Sequence, residues 1–288
     1  YEGYYGRMKV TQVKRSAEQP LVSVIIPTKN SEATIEKCLM SLTEQSYKNL
    51  EIIVVDNYSR DRTRIIAKKF GANVFLKGPE RGAQVNFGIG KAGGKYVYRV
   101  DSDFVLHANV IREAVEACEK FGYDAIAVHN TSDPTVSFWS RVRKAERDCY
   151  KNGELNIAAR FWKKEALETV GGFDETIVAA DDYDLHNRLV EYGFKIGRIL
   201  AEEIHIGEPR TLAEVLQKHY YYGKNIGRFI KKNPRSALAQ LGPLRIGYIR
   251  NLSNFLSNPV LAIGFAVYQI VRYVAATVGI FVAKFEKM

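Results

Sequence analysis

The chain of 288 residues predicts an α/β fold: a Rossmann-like, mixed but mostly parallel sheet with helices on both faces, followed by C-terminal helices of a different character. Three observations predict it. Short, nearly continuous β-branched runs alternate with helical patterns, as in a sheet buried on both faces. A pair of aspartates, Asp101 and Asp103, stands directly behind one of those runs. The surplus of positive charge is confined to the last quarter of the chain.

Residues 21–26 read as the first strand, and Ile35, Leu39 and Leu42 then recur at helical spacing. Residues 51–55 form a second strand, Ile65, Ile66 and Phe70 mark a helix, and residues 73–76 form a third strand. A helix over 82–91 and a strand over 95–100 follow. Beyond them the pattern predicts a helix near 108–121, a strand near 124–129 and a helix over 179–192. Thr211 and Glu214 have the spacing of a capping box that opens a helix running toward Lys231. These elements place one folded domain at 21–233, behind a flexible leader at 1–20 that is rich in Tyr and Gly at its start.

With 46% apolar residues the chain can build a packed core, which excludes a mainly disordered or collagen-like polymer. Cys38, Cys118 and Cys149 are too few and too far apart for a disulfide framework or a thiolate metal site, and read as buried thiols in a reducing compartment. The net charge of +10 divides unevenly. Residues 1–214 hold 31 basic and 31 acidic residues, whereas 215–285 hold ten basic residues and no acidic one. Such asymmetry points to a polyanionic partner. No nucleic-acid-reading motif accompanies the charges, so the partner is read as an anionic membrane face and not nucleic acid.

The hydrophobic pattern agrees. In 234–257, Leu241, Leu244, Tyr248, Leu252 and Phe255 recur at helical spacing beside Arg245 and Arg250, the pattern of a basic amphipathic helix lying in an interface. Residues 258–288 carry an apolar helix that spans the membrane or is embedded in it. As a helix, 259–285 would be about 40 Å long against a hydrocarbon core of about 30 Å. Arg272 is the obstacle, costing roughly 3 kcal/mol at mid-span, and Gln269 is placed to face the same partner. The basic stretch before the helix puts the folded domain on the cytoplasmic side of a cell membrane.

Asp101-Ser102-Asp103 ends an apolar strand, and two carboxylates at that spacing can share a hard divalent cation, Mg²⁺ or Mn²⁺, whose other positions take phosphate oxygens. Taken alone, the triplet reads as a solvated turn. Its surroundings change the balance. Residues 22–30 (VSVIIPTKN), 41–47 (SLTEQSY), 51–59 (EIIVVDNYS), 81–88 (RGAQVNFG), 92–96 (AGGKY), 171–175 (GGFDE) and 181–188 (DDYDLHNR) resemble, in order and spacing, glycosyltransferase family 2, the inverting enzymes of GT-A fold. The resemblance covers roughly 21–225.

It implies roles residue by residue. Pro27, Thr28 and Asn30 would form the loop against the donor nucleotide, and Asp56 would hydrogen-bond its base. The family's usual Asp-Asp-Gly-Ser is Asp56-Asn57-Tyr58-Ser59 here, which leaves the base open. Arg81 is similar to a basic residue near the diphosphate. Asp101 and Ser102 would touch the donor, while Asp101, Asp103 and His205 would hold the metal. Asp182 matches the general base that takes the proton of the acceptor hydroxyl, with Asp181 in place of the more usual Glu. Gln217, Tyr220 and Tyr221 have the spacing of the Gln-x-x-Arg-Trp element of cellulose-synthase-like members, near the acceptor or the diphosphate. Arg188 reads as a structural ion pair.

What the resemblance implies is a reduced cellulose-synthase-like or dolichyl-phosphate-mannose-synthase-like enzyme. It would use Mn²⁺ or Mg²⁺ to move a sugar from a GDP- or UDP-sugar to an acceptor on a polyprenyl or dolichyl carrier. Mannose from GDP-mannose is the favoured donor, and a homo-oligomer through the C-terminal helix is a further partner. Two readings compete within related folds. A small processive polysaccharide synthase would need more than one spanning segment, and a nucleotidylyltransferase would need a Gly-rich loop where Pro27-Thr28-Lys29-Asn30 stands. A non-catalytic membrane scaffold of the same fold is the reading from another class.

Overall fold

The computed structural model describes residues 19–151, 157–242, 248, 250, 251, 255 and 258–286. The leader expected at 1–20 falls almost wholly outside them. Four strands open the fold: β1 (Val22–Thr28), β2 (Leu50–Asp56), β3 (Asn73–Leu76) and β4 (Tyr96–Arg99). Between them lie α1 (Ile35–Thr43), α2 (Thr63–Lys69) and α3 (Arg81–Lys91). All four strands run parallel, and β1 sits between β2 and β4. The chain therefore turns outward in both directions from β1, which creates a crevice at the carboxyl ends of β1 and β4.

The sheet is completed by β8 (Phe161–Lys163), β6 (Ala125–Ala127) and β9 (Ile196–Arg198), in the order β3-β2-β1-β4-β8-β6-β9. Only β8 runs antiparallel to its neighbours, so the sheet is mixed but mostly parallel. A second sheet, β5 (Phe104–Leu106), β10 (Glu203–His205) and β7 (Asn130–Ser132), stands beyond β4 and borders the crevice on that side. Val24, Ile26, Leu39 and Val54 pack one face of the large sheet, and Ile25, Ile53, Val85 and Trp162 the other. The apolar run of β1, buried at every position, is what a strand covered on both faces requires.

Further helices are α4 (Val110–Phe121), α5 (Phe138–Asp148), α6 (Lys164–Thr169), α7 (Asp181–Glu191), α8 (Leu212–Asn225), α9 (Gly227–Lys232), α10 (Pro234–Leu241) and α11 (Pro259–Phe285). The capping box is half formed: Thr211 Oγ1 accepts the Glu214 N–H at 3.2 Å, but the Glu214 carboxylate takes the N–H of Arg210 and not that of Thr211. The helix expected to run on toward Lys231 breaks at Ile226 into α8 and α9.

One expectation for the C-terminus differs from the structure. The amphipathic helix expected over 234–257 is interrupted, because α10 stops at Leu241 and Gly242 is extended (φ −63°, ψ 154°). Leu244, Arg245 and Leu252 of that pattern lie outside the described residues. The apolar helix α11 also packs on the domain. It lies along α8 and α5, with Tyr268 buried against Val142 and Val215. A Cβ on Gly264 would meet Phe138 and Val142, while one on Gly223 or Gly279 would strike the backbone of the opposite helix, at Ala276 and Tyr220. Glycine at 223 and 279 lets the two backbones touch. Lys224 and Glu286 close the far end at 2.7 Å.

Arg272, the obstacle within α11, pairs with the buried Glu146 of α5 at 2.9 Å. Gln269 donates to Tyr248 Oη, which donates in turn to Glu146, so Gln269 and Arg272 both end on one carboxylate. The opposite face of α11 is a row of exposed apolar side chains, Val260, Ile263, Ile270, Val274, Val278 and Phe281. By length and composition α11 is the one candidate membrane span among the described residues.

Candidate active site

A cavity of about 940 Å³ opens at the carboxyl ends of β1 and β4. Its lining includes Pro27, Thr28, Asn30, Arg81, Asp101, Ser102, Asp103, Asp182 and His205, so the structure brings together most of the residues singled out in the sequence.

The β1 and β2 ends form one wall. Asn30, at φ 50°, donates its N–H to Ser59 Oγ and accepts the N–H of Arg60, which ties the two loops together. Asp56 lies beneath this wall and is fully buried. Its carboxylate accepts Thr28 Oγ1–H at 2.9 Å and the Ser59 N–H and Oγ–H at 2.7 and 2.5 Å, with Arg64 3.8 Å away. These contacts make Asp56 an anchor of the two loops, buried beneath the wall. Tyr58, where the family's usual glycine stands, keeps a left-handed backbone (φ 51°) that a non-glycine residue adopts at a cost of about 1 kcal/mol.

Asp101 and Asp103 follow β4 at the cavity floor. Asp101 Oδ2 is held by Arg160 at 2.5 Å and Arg99 at 3.4 Å, and its buried Oδ1 has no hydrogen-bond partner. Burial alone would raise the Asp101 carboxyl, but Arg99, Arg160 and Arg81 outweigh it and hold the group far below the ordinary carboxylate range. Arg160 also pairs with the fully buried Glu203, which accepts the hydroxyl of Tyr98. Asp103 Oδ2 lies 3.0 Å from His205 Nε2, and His205 Nδ1 lies 3.0 Å from Glu208 Oε1. The Asp103 carboxyl is lowered because the His205 contact outweighs burial.

No three His, Cys, Asp or Glu side chains among the described residues are grouped as a self-sufficient metal site. The donor set nonetheless fits a hard cation that takes its remaining ligands from substrate. The orphaned Asp101 Oδ1 needs a partner. With Glu208 beside Nδ1, the His205 ring can turn the lone pair of Nε2 toward Asp103, an arrangement that a cation between them satisfies.

Facing this floor is the start of α7. Ala180, at φ 65°, sets the entry angle of the helix, and Asp181, Asp182 and Asp184 occupy its first turn. Each carboxylate is used differently. Asp181 is buried and paired with Arg81, whose guanidinium reaches the cavity. Asp184 is buried between Arg188 and Lys232, so Arg188 is the structural ion pair expected of it. Asp182 accepts only the adjacent Tyr183 N–H, makes no ion pair among the described residues, and faces the cavity. Of three like-charged neighbours, it is the one left available to substrate.

Five residues from the sequence fall outside the lining: Asp56 and Asp181 are buried behind it, and Gln217, Tyr220 and Tyr221 lie on α8. Gln217 and Tyr221 are exposed, Tyr220 is half-buried, and their neighbours Lys218, His219 and Tyr222 line the cavity in their place. An α-helix shows only part of its circumference to one wall, so the residues next to the motif face the cavity. Sequence reasoning also missed Arg99, Arg160, Arg143, Arg147 and Arg272, all on the lining. Arg99 offered a signal, a charge inside the otherwise apolar strand Tyr96–Arg99, but Arg143 and Arg147 lie on α5, a polar helix with no apolar run to mark it.

A crevice at the switch point of a mixed sheet, with a pair of aspartates on its floor and the Asp182 carboxylate on the same lining, is the architecture of a GT-A glycosyltransferase. The profile of glycosyl transferase family 2 matches residues 23–172, more than half of the chain, and the chain belongs to that family. Glycosyltransferase AglE of Haloferax volcanii is 26% identical over 225 residues, covering 71% of this chain and 72% of the relative. Beta-monoglucosyldiacylglycerol synthase of Synechocystis is 29% identical over 201 residues, 62% of this chain and 42% of the relative. Among solved structures, mannosyltransferase PcManGT from Pyrobaculum calidifontis, in complex with GDP-Man and Mn²⁺, superposes with a TM-score of 0.64 over 94% of this chain and 88% of that one, at 19% identity.

Proposed function

We propose that this glycosyltransferase inverts the sugar it transfers, takes it from a nucleotide-sugar with GDP-mannose favoured over a UDP-sugar, and passes it to a lipid-linked acceptor at the cytoplasmic face of a membrane. The observation that carries the reading is the placement of Asp182, without an ion pair, across one cavity from Asp101 and Asp103. An inverting displacement needs a base on one face of the sugar and charge stabilisation on the other. Asp182 would take the acceptor proton as the bond from the anomeric carbon to the diphosphate oxygen breaks. A divalent cation held by Asp101, Asp103 and His205 would stabilise charge on the leaving diphosphate. Arg81 locks Asp181 and thereby fixes the first turn of α7 that aims Asp182. The mannosyltransferase fold neighbour with GDP-Man supports the donor, and the lipid product in the name of the Synechocystis relative supports a lipid acceptor.

The same reading places α11 in the plane of the membrane surface. Anchored to the domain from Gly264 to Glu286, it could cross a bilayer only by drawing charged Lys218, Lys224 and Arg143 into hydrocarbon with it. Lying flat, it offers its exposed apolar row to the lipid while exposed basic residues such as Lys231, Arg235 and Lys284 meet anionic headgroups. That assignment leaves a second copy of the chain no separate face of α11 to use.

The test is turnover of a panel of GDP- and UDP-sugars by the purified protein with Mn²⁺, with Mg²⁺ and with chelator, beside Asp103→Ala. Metal-dependent turnover of one donor, lost in the variant, is the expected result. If no nucleotide-sugar is bound or turned over, the chain is a membrane scaffold that has kept the fold.

A further inference from the structure

The cavity has a second charged region that the donor chemistry does not use. Arg143 and Arg147 project from α5, Lys218 from α8 and Arg272 from α11, and all four line the cavity. Two acids lie behind them. Glu146 pairs with Arg143 and Arg272, and Glu208 pairs with Arg147 at 2.9 Å, each acid being 1% exposed. The three arginines remain 14–18% exposed, so the acids are sealed and the cations face the cavity. Lys218 makes no ion pair or hydrogen bond among the described residues. Asp103 is a further acid acting on Lys218, and Glu208 is shared with His205, so four cations stand against three carboxylates and the partly desolvated wall keeps a positive excess that an anion would complete.

Next to the cations the wall turns apolar. Ile226 and Ile230 from the α8–α9 region and Ala276 and Ile280 of α11 line the same cavity, with Ile280 packed on the buried cluster that holds Ile226. The strip follows α11, whose far side is the exposed apolar row. A ligand that fits both parts is an amphiphile with a phosphate head and an unbranched or isoprenoid tail.

We infer that Arg143, Arg147, Lys218 and Arg272 form an anion site separate from the metal and donor diphosphate, which binds the phosphate or diphosphate of a prenyl-linked acceptor while its chain runs over the apolar strip of α11. This rests on the lipid-acceptor reading above and names the residues that would enforce it. It also gives α11 a second role, because the helix that meets the membrane supplies, through Arg272, part of the acceptor site.

The experiment measures binding of geranylgeranyl diphosphate, geranylgeraniol and inorganic pyrophosphate to the full chain, with Mg²⁺ and a saturating nucleoside diphosphate. The lipid diphosphate is expected to bind beside the nucleotide, and both geranylgeraniol and pyrophosphate roughly tenfold or more weaker, because each lacks one half of the match. Lys218→Gln and Arg272→Gln should each weaken the lipid diphosphate roughly tenfold, the loss of one charged hydrogen-bond donor. Arg272→Lys should recover part of that loss, which a folding defect would not allow. Competition between lipid diphosphate and nucleotide would assign the cations to the donor and overturn the inference. Pyrophosphate binding as tight as the lipid would overturn the lipid assignment, and unchanged binding in both glutamine variants would overturn the residues. Donor turnover without lipid binding sinks this inference alone, whereas absent donor turnover sinks the transferase reading beneath it.

Discussion

Arg160 shows how much of the site depends on single buried charges. It compensates Asp101 and Glu203 at once, and Glu203 is fully buried where water cannot replace it. Arg160→Met should destabilise the fold by about 3–5 kcal/mol, the usual cost of leaving a buried partner uncompensated, and urea unfolding measures it. A loss under about 1 kcal/mol would mean that the ions are better hydrated than this packing allows. Tyr58 works in the opposite direction. Its left-handed backbone is strained and its side chain is exposed, so Tyr58→Gly should raise stability by up to about 1 kcal/mol in the same assay. At this scale the sequence marks residues whose spacing follows a motif, and Asp101, Asp103 and Asp182 do come together on one cavity. It was illegible at Arg160, Glu203 and Glu208, which meet only through tertiary contacts and follow no local pattern.

Helices α8 and α11 cross with their backbones in contact at Gly223 and Gly279, where any side chain would collide with main chain. Gly223→Val should push α11 off the domain. The expected outcome is faster proteolysis within 259–285 and loss of at least 1–3 kcal/mol, and equal protease resistance in variant and wild type would contradict the packing. The strands β1 to β4 were readable because buried parallel strands are runs of apolar residues with clear helical intervals. By contrast the packing of α11 on α8 and α5 was not legible, because a helix with one face on the domain and an exposed apolar face is apolar all round. The partner of its Arg272 lies 126 positions earlier in the chain, at Glu146, beyond any periodicity argument. The same tertiary dependence hid α5, a polar helix stabilised by what it touches.

For the whole molecule, the cationic cavity sets a pH dependence. Burial pushes the pKa of His219 down to about 3, helped by Arg272, Arg143 and Lys218 and opposed by Glu146. Its folded-state pKa lies below the unfolded value near 6.5, so its contribution to stability is complete above that value and is lost progressively as pH falls from about 6.5 toward 3. Urea midpoints between pH 7 and 5 should fall with acidification, and His219→Gln should flatten that slope. Membrane binding belongs to this scale too. Flotation with vesicles containing anionic lipid should retain the protein at low salt and release part of it at high salt, as expected of a surface-bound helix backed by basic residues. Because Tyr268, Val142 and Val215 form one buried cluster, cutting the chain before Pro234 should leave an unstable remnant, not a soluble catalytic domain. The most direct test of the central claim, that Asp182 is the base of an inverting transfer, is to compare transfer rates of wild type and Asp182→Asn at saturating donor and acceptor, with donor affinity measured alongside. The variant should bind donor and metal as wild type does and transfer about 10²–10⁴-fold more slowly. Transfer at the wild-type rate would remove Asp182 from that role.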